Sequence, residues 1–213
     1  MQPTIHFYDS QFIGAPAYGQ LVSFDSLFLA AGDVADYQAK IYLRPDVSFS
    51  PQAVEQGDCF AVDMASGISE YQWSRKAFDL FATPGALHIG IGNTGALDSF
   101  IRFAQYRCLS TLPNTSLPSG AHYLDLLTLC RAINALRPES AAISLPNEWG
   151  ELRKREYICN QMPHESRART VKELASSIMA ASPKLMAHAI KHSSPAKIGA
   201  LCGLVHGQVE SLS

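Results

Sequence analysis

The densest charge in the sequence is basic. Arg153, Lys154 and Arg155 run together, and Arg167, Arg169 and Lys172 follow closely. Such a run suits phosphate oxygens or an acidic partner. Glu151, Glu156 and Glu165 break it up, which makes a solvated face the plainer reading. Arg131 and Arg137 can reach a phosphate, or can simply solvate the end of a helix that stops at Pro138. Asp9 closes an apolar run, where a carboxylate either does chemistry or ends the strand in an Asx turn. Ser26, His6 and Asp9 supply the types of a nucleophile, a base and an orienting acid. No G-x-S-x-G turn presents the serine, so this set is dismissed. The five cysteines, Cys59, Cys108, Cys130, Cys159 and Cys202, form no C-x-x-C pair and no zinc spacing. They read as reduced, mostly buried thiols of a cytoplasmic protein.

The bulk composition narrows the classes. The chain has 213 residues, 47% of them hydrophobic and 17% charged, with a formal charge of −2. That length can bury a sizeable core within one α/β domain spanning 1–213. A dedicated duplex-DNA binder carries a basic excess, because phosphate neutralisation dominates affinity. Any nucleic-acid surface here must therefore be local. Met1-Gln2-Pro3-Thr4 lacks the basic start of a signal peptide. No apolar run reaches the roughly 18 residues of a membrane span, so no membrane partner is expected.

The elements that must position these groups follow from periodicity. Thr4–Tyr8 reads as a strand ending at Asp9, Gln20–Ala31 as a second and Asp36–Leu43 as a third, together an antiparallel meander. Pro51–Gln56 begins a short helix. Ser69 caps a helix over Ser69–Phe81, with Tyr71, Trp73, Ala77, Phe78 and Phe81 near one face. Ala86–Ile91 is a buried strand and Ala96–Arg107 a helix. Ser110–Gly120 is a surface loop. His122–Leu136 is a helix, or a short strand followed by one, stopped by Arg137-Pro138. Short helices follow at Glu151–Cys159, Thr170–Ala181, Pro183–Lys191 and Pro195–Val205.

One segment carries more than periodicity. DLLTLCRAINALRPES, Asp125–Ser140, resembles the D-L-L-D-V-x-R-A-x-x-A-L-R-P-E-G stretch of bacterial exonuclease I, with about ten identities in sixteen positions. Tyr8–Gly14 (YDSQFIG) is similar to that family's H-D-Y-E-T-F-G. Ala65–Ser69 (ASGIS) is similar to its T-G-I-T turn, and His88–Arg107 to its L-G-Y-N-N-x-x-F-D-D-E segment and the helix after it. The resemblance spans residues 4–204. It implies an α/β fold of the ribonuclease H-like exonuclease type, a mixed sheet flanked by helices. It also implies a 3′–5′ exonuclease on single-stranded DNA with a DEDD set of acids and a histidine base. In two-metal nucleases, cations about 3.5–4 Å apart activate water and stabilise the leaving oxygen. Hard cations such as magnesium or manganese take carboxylate oxygens.

Carried over residue by residue, that machinery is incomplete. Asp9 matches the first aspartate, while the glutamate two positions on is Gln11. Alternation keeps both on one face, but an amide brings no charge. The helix aspartate falls on Leu97, with Asp98 one step, about 100°, away. The base histidine falls on Ala168, and His164 lies four residues earlier. The last aspartate falls on Glu173, which either binds metal or pairs with Arg169 four residues before it. Asp9, Asp98 and Glu173 are thus the candidate metal ligands, and Asp9 and Glu173 the candidate catalytic acids. Arg131, Arg153, Lys154, Arg155, Arg167 and Arg169 are the candidate nucleic-acid contacts. Loss of a general base alone costs about 10²–10⁴ in rate.

The resemblance therefore implies a catalytically weak or dead nuclease domain. It would need no cofactor, and would bind single-stranded nucleic acid or a protein of a DNA-processing assembly. Two further readings stay open: a residual exonuclease using magnesium or manganese at Asp9, Asp98 and Glu173, and a small-substrate phosphoesterase. The family's strand-closing domains lie outside the resemblance, so any activity is expected to be distributive.

Overall fold

The computed structural model describes residues 4–30, 33–47, 67–81, 83–92, 94–109, 122–136, 166–194, 197, 204–205 and 208–209. In chain order the elements are β1 (Ile5–Ile13), β2 (Gln20–Ala30), β3 (Asp33–Lys40), α1 (Glu70–Phe81), β4 (Leu87–Gly90) and α2 (Thr94–Arg107). They continue with β5 (His122–Asp125), α3 (Leu126–Leu136), α4 (Arg167–Ala181), α5 (Pro183–Lys191), β6 (Leu204–Val205) and β7 (Gln208–Val209). The first five strands form one mixed sheet in the order β3-β2-β1-β4-β5. β1, β2 and β3 are the expected antiparallel meander, and β4 and β5 extend it in parallel beside β1.

Alternation along β1 divides the core between the two faces of the sheet. Phe7, Leu27, Ile89 and Leu124 face one side, where Leu126 and Ile133 of α3, Val171, Leu174 and Ile178 of α4, and Met186 of α5 cover them. Tyr8 and Phe24 face the other, covered by Trp73, Ala77 and Phe81 of α1 and by Leu97, Ile101 and Ala104 of α2. This is the α/β architecture that the sequence implied.

Local chemistry explains where the elements begin. Ser69 and Gln72 form a reciprocal capping box: the Gln72 N–H donates to Ser69 Oγ at 3.1 Å, and the Ser69 N–H to Gln72 Oε1 at 2.9 Å. Two of the four orphan donors of α1 are thereby addressed. Asp125 starts α3 by accepting from the Leu127 N–H at 2.9 Å, and its same oxygen accepts from the Gly92 N–H at 2.7 Å. The first residue of the segment most like exonuclease I is thus a structural clamp between the end of β4 and the start of α3. Gly90 lets β4 pass over Tyr8, since a Cβ there would lie 2.7 Å from the tyrosine ring.

Four boundaries differ from expectation by three residues or more. β1 runs on to Ile13 because β2 pairs with it beyond Asp9, with a register irregularity only between Gln11 and Phe12. β3 spans Asp33–Lys40, three residues early, because Asp33 pairs with Ala30. α4 starts at Arg167 rather than Thr170. The helix expected over Pro195–Val205 is not continuous, since Leu204–Val205 is a strand paired antiparallel with Gln208–Val209. His206-Gly207 separates those two strands in the sequence. Expectations for Pro51–Gln56, Ser110–Gly120, Glu151–Cys159 and three of the cysteines lie outside the described residues. Cys108 and Cys130 are free thiols, as expected.

Candidate functional site

Asp9 sits mid-strand on β1, directly across from Asp25 of β2. Opposed residues of antiparallel strands share a face, so two carboxylates meet side by side. They are buried, with 4% and 5% of their surface exposed. Like charges facing each other across strands repel, and burial sharpens the repulsion. The arrangement requires a positive counterpart.

That counterpart is the first turn of α4. Arg167 Nε lies 3.4 Å from Asp9 Oδ2. Its Nη2 donates to Ser23 Oγ, which in turn donates to Gln11 Oε1 at 2.7 Å. Ser166 Oγ donates to Asp25 Oδ1 at 2.9 Å, and the Ala168 N–H donates to Asp25 Oδ2 at 3.3 Å. Asp25 thus acts as an N-cap supplied from another element, placed where the helix dipole favours negative charge. Burial raises the Asp25 pKa; the Ser166 hydroxyl, the Arg167 guanidinium and the backbone N–H groups oppose the rise. Asp25, Ser166 and Ser23 escaped the sequence reading because only strand register and helix docking bring them to Asp9.

The remaining candidates scatter. Leu97 is buried in the core on the opposite face of the sheet. Asp98 forms an i,i+4 ion pair with Arg102 at 3.2 Å. Ala168 is wholly buried, and Glu173 is exposed to solvent on α4. Arg169 pairs with Asp36 of β3 at 2.6 Å. Arg131 is exposed on α3. Arg153, Lys154, Arg155 and His164 lie outside the described residues.

These residues do not fit a pair of divalent cations. Among the described residues, no three His, Cys, Asp or Glu side chains gather as a metal site, so Asp9, Asp98 and Glu173 form none. The Asp9 charge is met by Arg167, and both Asp25 oxygens accept hydrogen bonds from α4. The dismissed Ser26, His6 and Asp9 set does not form either. His6 packs against Tyr8 and Phe28, on the face of β1 away from Asp9, and Ser26 Oγ donates to the Tyr37 carbonyl at 3.4 Å.

That opposite face holds a second titratable group. His6 and His88, neighbours in register on β1 and β4, approach Nδ1 to Nδ1 at 2.8 Å, both fully buried. Only neutral rings can share that contact, one donating and the other accepting. Burial, then His88, holds His6 well below its ordinary pKa. Burial, then His122, lowers His88 to about 4. His88 stacks on Tyr123, whose pKa is raised by burial, then by Tyr8 and Asp98.

No protein-family model matches the chain, and no curated protein matches it in sequence. Solved structures do match. E. coli exonuclease I in complex with a 5cy-dA13 oligonucleotide aligns at a TM-score of 0.74 and 23% identity, over 94% of this chain and 45% of that one. Exonuclease I from Methylocaldum szegediense aligns at 0.75 and 19% identity, over 100% and 49%. An ExoI/SSB-Ct complex aligns at 0.72 and 23% identity, over 94% and 46%. The chain spans about half the length of these structures. Its architecture is the ribonuclease H-like α/β fold of exonuclease I.

Proposed function

We propose that the chain is an exonuclease I-like pseudoenzyme: a domain that keeps the scaffold, lacks the two-metal chemistry, and acts as an interaction module in cytoplasmic DNA processing. The observation that carries this reading is Arg167 beside Asp9. The one acid that keeps its expected identity is neutralised from within the chain. Gln11 accepts a hydrogen bond from Ser23 instead of offering a charge. Ala168 offers only its backbone N–H where the resemblance places a base, and Glu173 faces solvent. Asp25, the carboxylate beside Asp9, is committed to hydrogen bonds from Ser166 and the Ala168 N–H, and general-base loss alone costs about 10²–10⁴ in rate.

The partner this reading favours is single-stranded nucleic acid, because a structural neighbour was captured with a 5cy-dA13 oligonucleotide. A protein of a DNA-processing assembly is the other occupant, as another neighbour forms an SSB-Ct complex. The test is a single strand labelled so that nucleotides lost from its 3′ end are counted, with magnesium or manganese at millimolar concentration. No release is expected. Release that Asp9→Asn abolishes would overturn the reading and restore a residual exonuclease.

A further inference from the structure

The formal charge of the chain is −2, yet residues 174–209 contain no Asp, Glu or Arg. The same stretch holds Lys184, His188, Lys191, His192, Lys197 and His206. Charge is therefore segregated, and α5 shows how it is displayed. Met186 is buried beneath the helix, with Leu185, Ala189 and Ile190 packed on the same core. Lys184, His188 and Lys191, spaced i, i+4 and i+7, are exposed. At about 1.5 Å of rise per residue, the two lysines stand about 10 Å apart along the helix. Lys197 Nζ donates to the Lys191 carbonyl at 3.0 Å, which draws a third ammonium to the end of the row. His192 lies beside it, its ring centroid 4.4 Å from that of His188. Burial, then His188, Lys191 and Lys197, holds the His192 pKa below its ordinary value.

Helix electrostatics account for only part of this row. Cations in a last turn complement the dipole, which covers His188 and Lys191. Lys184 stands in the first turn, where the dipole opposes it. The arginines on α4 that the sequence singled out are engaged with acids, Arg167 with Asp9 and Arg169 with Asp36. The row is also remote from Asp9. Ser193, just past α5, accepts from the Tyr123 N–H at 3.1 Å. That contact lies at the start of β5, where the parallel strands begin, and Asp9 is further along β1.

We infer that the exposed row of α5, Lys184, His188 and Lys191 with Lys197 at its end, is a docking stripe for the phosphates of a single-stranded nucleic acid. The inference rests on the interaction-module reading and adds a location to it. Lysine is a point charge that tracks a polyanion, whereas paired carboxylates are best matched by the arginine fork, which residues 174–209 lack. No metal is required.

The test uses the full chain and a fluorescein-labelled oligothymidylate of fifteen nucleotides, followed by anisotropy in EDTA from 50 to 200 mM salt. Each phosphate contact on a single strand adds about 0.7 to the log–log salt slope. Lys184→Gln with Lys191→Gln should therefore flatten the slope by about 1.4. Over that fourfold rise in salt, the unaltered chain should lose about sevenfold more affinity than the variant. Both side chains are exposed, so the fold is retained, which a melting curve checks. Binding with an unchanged slope in the variant would overturn this location while leaving the interaction reading intact. Displacement of the strand by an equimolar glutamate decapeptide would also overturn it, in favour of an acidic protein partner. No binding by the unaltered chain would remove the stripe and its nucleic-acid partner together.

Discussion

Replacing Arg167 with methionine removes the cation beside Asp9 and keeps most of the side chain's apolar volume. Asp9 and Asp25 are then two buried carboxylates opposed across a strand pair, with only the first turn of α4 to counter them. Breaking a buried ion pair by deleting one partner costs about 3–5 kcal/mol. The Arg167 side chain is 20% exposed, so water recovers part of that, and about 2 kcal/mol is the expected loss at pH 7. The sign with pH separates charge from packing. Burial already raises the Asp25 pKa and Arg167 opposes that rise, so without Arg167 Asp25 protonates more readily in the folded state than in the unfolded one and the penalty is full at neutral pH. It shrinks as pH falls through the raised folded pKa of Asp25. Urea unfolding of both proteins at pH 7 and pH 4.5 measures this, and any histidine titration common to the two cancels in the difference. Asp9→Asn added to the variant should recover about half the loss, because one of the two opposed charges is gone. A penalty equal at both pH values would refute the electrostatic account and leave Arg167 a packing residue.

The histidine pair predicts acid lability of the unaltered protein. His88 falls from 6.5 to about 4 on folding, so the stability it confers is complete above about pH 6.5 and is lost as pH drops towards 4. At about 1.4 kcal/mol per pH unit the loss approaches 3 kcal/mol, with His6 adding in the same direction. Denaturant midpoints at pH 7, 5.5 and 4 follow it, and a midpoint that did not move would contradict the neutral-pair assignment. Asp125→Ala removes two hydrogen bonds, to Gly92 and Leu127, and should cost about 1–3 kcal/mol. Asp125→Asn keeps an acceptor and should recover much of it, read as melting temperature; equal loss in both would point away from the cap.

The sequence shows what is local and hides what is assembled. α1 could be placed because Ser69 and Gln72 are three residues apart and cap their own helix. The meander could be placed because its strands alternate and follow one another in the chain. Asp9 and Gln11 could be put on one face because alternation needs only the strand itself. The start of α4 could not be placed, because its cap is Asp25, 141 residues away in sequence. The partner of Asp9 was hidden for the same reason. Arg167 stands in the sequence only as one cation in a basic stretch, and the fold sets it beside Asp9 and Ser23. Asp125, which heads the segment that carries the resemblance, closes one bond locally to the Leu127 N–H and a second to the Gly92 N–H, 33 residues earlier.

The acids of β1 and β2 explain why, among the described residues, no metal cluster gathers at Asp9. A sheet with Asp9 and Asp25 opposed across adjacent strands is unstable without a cation between them and the helix that covers them. A divalent ion can serve, but it dissociates, and the strand pair then carries the repulsion alone. A guanidinium on α4 cannot leave, so folding supplies the counter-charge each time α4 docks. The same turn carries the helix start, since Ser166 and the Ala168 N–H reach Asp25 while Arg167 lies beside Asp9. Counter-charge and cap thus form one cooperative joint. Such a joint needs no glutamate at position 11 and no acid at position 97. Gln11 completes the hydrogen-bond chain from Arg167 through Ser23, and Leu97 fills the core on the opposite face of the sheet. A negative charge at position 11 would compete with Asp9 for a single guanidinium, so the identities of Gln11 and Arg167 are mutually consistent.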